Sequence, residues 1–261
     1  MDAVELYTTV TEKGHPVNYL QASNFKVFED GVLQKIEGFE YVKNLPLSVG
    51  IMIDTSASML ESLPEVQKAA TAFLDYTLGA KDRAFTVSFD NEPYILAKLT
   101  NRKERLIRSL GGMRAEGSTA LYDAIVYSLY PFSGVKGKKA LVLLTDGKDT
   151  ASKFEFDTML EYVKKSGISI YAIGFRIPAA ELEVKSKLNK VASVTGGQTF
   201  YVNDASHLDS VYKQINEELR SQYFLTYYST AGAANKDQWR KVEVKVEPSS
   251  MVARAISGYY P

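Results

Sequence analysis

Between residues 46 and 220 the chain alternates short, almost unbroken apolar runs with stretches whose apolar residues recur at helical spacing. This alternation restricts the fold more than any other feature. Leu47–Asp54 (LSVGIMID) and 139–145 (KALVLLT) have the continuous apolar character of strands buried on both faces, and 168–174 is a third such run. Residues 65–78 place Val66, Ala69, Ala70, Phe73 and Leu74 on one helical face. Residues 102–110, 120–130, 154–165, 181–194 and 207–220 also read as helices, the third of these ended by Gly167. Residues 84–89 and 198–202 read as further strands, and 94–99 as a short antiparallel strand after a turn at Asp90-Asn91. Strands alternating with helices over this length predict an α/β fold, a doubly wound, mostly parallel sheet covered on both faces. Such sheets bind ligands at the carboxyl ends of their strands. Asp54 ends one core strand and Asp146 follows another.

The two ends of the chain have a different pattern. Residues 4–10 alternate with period two, and 24–28 and 33–42 flank Glu29-Asp30-Gly31, a hairpin turn signal. Residues 222–228, 240–246 and 251–258 again read as strands, with a polar loop at 229–238. No helix pattern interrupts either end. The ends are therefore expected to pair into a small all-β sandwich, 1–44 plus 222–261, with the α/β domain at 45–221 inserted between them. The alternative is that the end strands extend the α/β sheet.

Composition narrows the functions. Lys+Arg and Asp+Glu both number 31, so no basic excess exists to neutralise phosphates, which argues against nucleic acid or an anionic membrane as the main partner. The absence of cysteine excludes disulfides, thiolate metal sites and cysteine nucleophiles. The longest apolar stretch, 45–53, is too short to be a transmembrane segment. Residues 1–4 have neither the basic region nor the apolar run of a leader peptide, so the chain reads as either cytosolic or a mature fragment whose leader is gone.

Three separated segments can meet at one rim of the sheet: Asp54-Thr55-Ser56-Ala57-Ser58-Met59, Gly117-Ser118-Thr119-Ala120-Leu121 and Thr145-Asp146-Gly147. Together they offer two carboxylates and several hydroxyls, hard oxygen donors that suit a hard divalent cation. Each has a plainer reading: Asp54, Ser56 and Ser58 as a capping loop, Thr119 as a helix cap, Asp146 as a turn residue.

Asp54-Thr55-Ser56-Ala57-Ser58 resembles the DxSxS motif of von Willebrand factor type A (VWA) domains, and the Thr119 and Asp146 segments resemble the two further loops of their metal-ion-dependent adhesion site (MIDAS). The resemblance covers about residues 46–220. The flanks extend it. Phe25-Lys26-Val27-Phe28-Glu29-Asp30-Gly31, Gln34-Lys35-Ile36, Leu45-Pro46-Leu47-Ser48-Val49-Gly50 and Gln222-Tyr223 with Gly258-Tyr259 are similar to bacterial "VWFA-related domain" proteins. The resemblance implies a Rossmann-like domain in which Ser56, Ser58 and Thr119 contact a metal through hydroxyls. Asp54 and Asp146 then hold it directly or through water. It implies Mg2+, or Ca2+ or Mn2+, and a protein partner that offers an Asp or Glu carboxylate. It also implies a secreted, periplasmic or cell-surface location.

Catalysis is not expected, because His15 and His207 lie outside the three segments and no general base stands beside them. A Mg2+-dependent phosphohydrolase with Asp54 as nucleophile is the enzymatic alternative; phosphatases of the haloacid dehalogenase type carry a second Asp where this chain has Ser56. A purely structural metal is the third reading. Glu116 and Asp149 read as solvated loop charges or specificity residues. Lys136, Lys138 and Lys139 read as a solvated run, Tyr223, Tyr227 and Tyr228 as strand core and cross-strand pairs, and Trp239 as packing in the sandwich.

Overall fold

The computed structural model describes residues 3–43, 45–231 and 238–261. Its strands are β1 (Ala3–Glu12), β2 (His15–Pro16), β3 (Phe25–Glu29), β4 (Val32–Gln34), β5 (Ile36–Lys43), β6 (Leu47–Asp54), β7 (Arg83–Phe89), β8 (Pro93–Thr100), β9 (Lys138–Thr145), β10 (Ser169–Phe175), β11 (Thr199–Val202), β12 (Ser221–Tyr228), β13 (Arg240–Val246), β14 (Met251–Arg254) and β15 (Gly258–Tyr259). Its helices are α1 (Leu63–Thr77), α2 (Lys103–Gly111), α3 (Leu121–Leu129), α4 (Phe156–Ser166), α5 (Leu182–Val194) and α6 (Leu208–Arg220).

The central sheet has the order β11-β10-β9-β6-β7-β8. All neighbours run parallel except β8, which returns antiparallel along β7. Every residue of β6 is buried, as its continuous apolar run requires of a strand covered twice. Helices α1, α2 and α6 close one face around Val49, Ile51, Ile53, Val142 and Leu144. Helices α3, α4 and α5 close the other around Met52, Phe85, Leu141, Leu143 and Ala172. Gly167 ends α4 in the left-handed conformation, at φ 61°.

The end segments form two further sheets, β14-β1-β12-β5 and β15-β13-β3-β4. Each combines strands from both ends of the chain, β1 pairing with β12 and β3 with β13. Their facing sides share a core of Leu6, Phe25, Val27, Tyr223, Leu225 and Val242. The turn after β3 uses two left-handed residues, Asp30 (φ 48°) and Gly31 (φ 81°), the geometry of a two-residue hairpin.

Two expected strands are each divided. Residues 33–42 break at Lys35, so that β4 stays beside β3 while β5 crosses to the other layer and pairs with β12. Residues 251–258 break likewise, β14 joining β1 and β15 joining β13. A strand that changes layers closes the corner of a sandwich. The polar loop expected at 229–238 falls mostly on residues 232–237, which lie outside the described residues.

Lys138 is not part of a solvated run. It is buried at the start of β9, and its ammonium donates to the Leu219 carbonyl at the end of α6. Burial and the Arg220 charge hold its pKa well below the usual lysine range. Orphan carbonyls at the end of a helix give a buried ammonium a partner that the local sequence does not reveal. Tyr223 and Tyr227 are core residues as expected, whereas Tyr228 is half exposed at the strand end. Trp239 packs edge-on against Tyr260, with the Lys164 ammonium over its ring.

Candidate metal centre

Asp54 is the last residue of β6 and is fully buried. Both its oxygens are engaged: Oδ1 accepts the Ser56 N–H at 2.9 Å and Oδ2 accepts the Thr145 hydroxyl at 2.6 Å. The chain then turns through a 3-10 segment, Ala57–Met59. This places the Ser56 and Ser58 hydroxyls 3.1 Å apart, and Ser58 donates to Asp146 Oδ1 at 3.1 Å. Four of the five expected positions thus form one continuous hydrogen-bonded chain.

Thr119, the fifth, is buried on the neighbouring loop. Its N–H donates to the Thr150 hydroxyl at 3.0 Å, and its carbonyl accepts the N–H groups of Thr150 and Ala151. The loops are latched by their backbones: Thr55 N–H to Phe89 O, Glu116 N–H to Thr55 O, Ala57 N–H to Gly117 O and Ala120 N–H to Asp90 O. Gly117 is required here twice over. It has φ +73°, and a Cβ would lie 2.5 Å from the Asn91 side chain.

The electrostatics leave negative charge without a counter-charge. Burial pushes the Asp54 carboxyl up to about 6, against the opposing hydrogen bonds from Thr145 and Ser56, and the Asp146 charge adds to the rise. Burial also raises Asp146, which the Ser58 hydroxyl partly offsets. Neither carboxylate takes part in an ion pair among the described residues.

The donors fit a small hard cation. They are all oxygen, and among the described residues no group of three or more His, Cys, Asp or Glu side chains is placed to hold a metal ion. Adjacent corners of an octahedron with Mg–O bonds of about 2.1 Å lie about 3.0 Å apart. The Ser56–Ser58 and Ser58–Asp146 spacings match that edge.

Sequence reasoning assigned no role to Thr145, which ties β9 to β6 through Asp54, or to Thr150, which orients Thr119. Thr145 had a usable signal: β6 and β9 pair in parallel with Ile53 opposite Leu144, so the residue before Asp146 must lie beside Asp54. Thr150 had none, because its contact depends on how the loop after Asp146 folds back. Neither His15 nor His207 hydrogen-bonds to any of the five residues.

Residues 48–214 match a family model described as the von Willebrand factor type A domain. No curated protein matches the chain in sequence. Among solved structures, a von Willebrand factor type A protein from Catenulispora acidiphila superposes with a TM-score of 0.62 at 11% identity, covering 97% of this chain and 72% of that one. The vWF domain of the type V pili tip protein Mfa5 from Porphyromonas gingivalis gives 0.57 at 14% identity, over 68% of this chain and 95% of that one. Proximal thread matrix protein 1 from the mussel byssus, in a structure described as having a zinc-occupied MIDAS motif, gives 0.61 at 17% identity, over 73% of this chain and 50% of that one.

Proposed function

Because the chain belongs to the von Willebrand factor type A family, we propose that it is a non-catalytic, metal-dependent protein-binding module whose site is Asp54, Ser56, Ser58, Thr119 and Asp146. The observation that carries this reading is the hydrogen-bonded chain from Thr145 through Asp54, Ser56 and Ser58 to Asp146, buried at one end and open at the other. In the proposed site three neutral hydroxyls contact a divalent cation while the carboxylates, Asp54 already hydrogen-bonded through both oxygens, hold it through water, so its charge is only partly cancelled at close range. A bound cation supplies a partly neutralised positive centre at the rim, and that favours an anionic oxygen from outside. The group of matching chemistry on a protein partner is an Asp or Glu carboxylate.

Mg2+ is the metal proposed, with Ca2+ and Mn2+ as alternatives; the zinc in the byssus protein supports occupancy of such a motif by a divalent ion. A secreted or cell-surface setting is supported by relatives described as pilus proteins. Among the described residues no helix is long and apolar enough to cross a membrane.

The phosphohydrolase reading has less support. Ser56 stands where a catalytic acid is needed, and Asp54 is fully buried with a hydrogen bond to each oxygen, a poor setting for a nucleophile that must reach a substrate. Isothermal titration of Mg2+ and Mn2+ into the chain tests the proposal. The natural sequence is expected to bind one ion, and Asp54→Ala to bind none while remaining folded by circular dichroism. Undiminished affinity in Asp54→Ala overturns the site. Turnover of a phosphomonoester in the presence of Mg2+ overturns the non-catalytic reading.

A further inference from the structure

Two surfaces at opposite ends of the central sheet carry opposite charge. At the rim, Asp90 directly follows β7, Glu92 follows in the turn, and Glu116 lies on the loop latched to Thr55. They surround Tyr94, which is 48% exposed and whose hydroxyl is pushed up by the charges of all three. None of the three carboxylates pairs with a cation among the described residues.

At the other end, where β9 and β10 begin, a groove of about 450 Å3 runs between the end of α3 and α4. Val126, Phe132 and Ile168 contribute to its apolar lining, Tyr130 and Tyr162 stand on its walls, and Lys139 and Lys165 are its only charged residues. Tyr130 is 79% exposed and Tyr162 50%. Among the described residues neither lysine forms an ion pair; the Lys165 ammonium lies over the Tyr260 ring and feels the Glu161 charge without pairing to it. Strands β6, β7, β9 and β10 are parallel neighbours or near neighbours, so the start of β9 and the end of β7 face away from each other along one axis. The equal totals of 31 acidic and 31 basic residues mean that no net charge keeps copies apart.

We propose that a second copy of this chain occupies the groove, the Asp90-Glu92-Tyr94-Glu116 rim of one copy seating on Lys139, Lys165, Tyr130 and Tyr162 of the next. The contact joins different surfaces of identical chains, so it is heterologous and extends head to tail rather than closing as a two-fold dimer. It needs none of the five metal-site residues. Because its charges are solvent-exposed in the free chain, the association is weak and salt-sensitive.

Sedimentation velocity on the whole chain tests this, with EDTA present so that metal cannot bridge copies. At low salt the sedimentation coefficient is expected to rise with concentration beyond that of a dimer, and half-molar salt to weaken association about tenfold. Reversal of the groove (Lys139→Glu with Lys165→Glu) or of the rim (Asp90→Lys with Glu92→Lys) is expected to leave a monomer. An equimolar mixture of the two reversed variants is expected to associate again, which neither does alone, so a folding defect cannot mimic the result. A chain that stays monomeric at low salt up to near-millimolar concentration overturns the proposal. So does a mixture that does not associate, or an association that EDTA abolishes.

Discussion

Asp54 and Glu29 are both acids shut away from water, at 0% and 1% exposure, yet their surroundings drive them in opposite directions. Asp54, in the α/β domain, meets only neutral donors and a neighbouring carboxylate, and its pKa rises. Glu29, in the sandwich, accepts from Arg240 at 2.8 Å, Tyr227 at 2.7 Å, Tyr259 at 2.9 Å and Ser229 at 2.5 Å, and its pKa falls despite burial. A buried charge is tolerated when it is paired and fully hydrogen-bonded. Glu29 is complete within the chain, and Asp54 has no counter-charge among the described residues. The difference is the one the proposed metal site requires: a structural carboxylate is satisfied within the chain, and a metal-holding one is not.

The largest expected effect breaks the complete member of the pair. Glu29→Gln leaves the Arg240 guanidinium without its carboxylate inside the sandwich. Removing one partner of a buried ion pair costs about 3–5 kcal/mol. Urea unfolding of the variant is expected to show a loss of that size; a loss below about 1 kcal/mol erases the contrast with Asp54.

The next effect has the opposite sign. Asp54→Asn removes a buried charge that has no counter-ion while keeping a side chain of the same shape. The amide oxygen can still accept the Ser56 N–H, and the Thr145 hydroxyl can turn to accept from the amide nitrogen. The raised pKa of Asp54, about 6, corresponds to a cost on the order of 3 kcal/mol for keeping it ionised at neutral pH. In EDTA the variant is expected to be more stable than the natural sequence by about that amount. In Mg2+ the order is expected to reverse, because only the natural sequence gains stability from metal. Thermal unfolding with and without Mg2+ reads both, and a less stable variant in EDTA contradicts the reading of Asp54 as an uncompensated charge.

How much of this contrast was legible depended on whether the physics was local. The α/β order followed from apolar runs and helical spacing, and the five candidate positions, four of which the structure joins by hydrogen bonds, from three short segments. Glu29 read only as part of a hairpin turn, because its partners Tyr227, Ser229, Arg240 and Tyr259 are about 200 residues away in sequence. The layer change at Lys35 was hidden for the same reason: its cause is the pairing of β5 with β12. Lys138 looked like one of three solvated lysines until α6 brought the Leu219 carbonyl to it. Positions with a recognisable pattern of their own could be placed even when the parts lie far apart in sequence, and single side chains whose partner arrives from another element could not.

The smallest effect tests the pairing of Glu29 through its pH dependence. A carboxyl whose pKa is lowered by folding contributes stability above its unfolded value of about 4.5. That contribution fades as pH falls through the lower folded value, because the unfolded chain binds the proton more readily than the folded one. Glu29→Gln has no such proton to bind. The stability gap between the natural sequence and the variant is therefore expected to be constant from neutral pH to about 5 and to narrow below about 4.5. Urea midpoints measured in EDTA across that range supply the comparison, with EDTA keeping metal binding at the other carboxylate out of the result. A gap that instead widens on acidification would mean that Glu29 is neutral in the folded chain, and the two buried acids would then be alike.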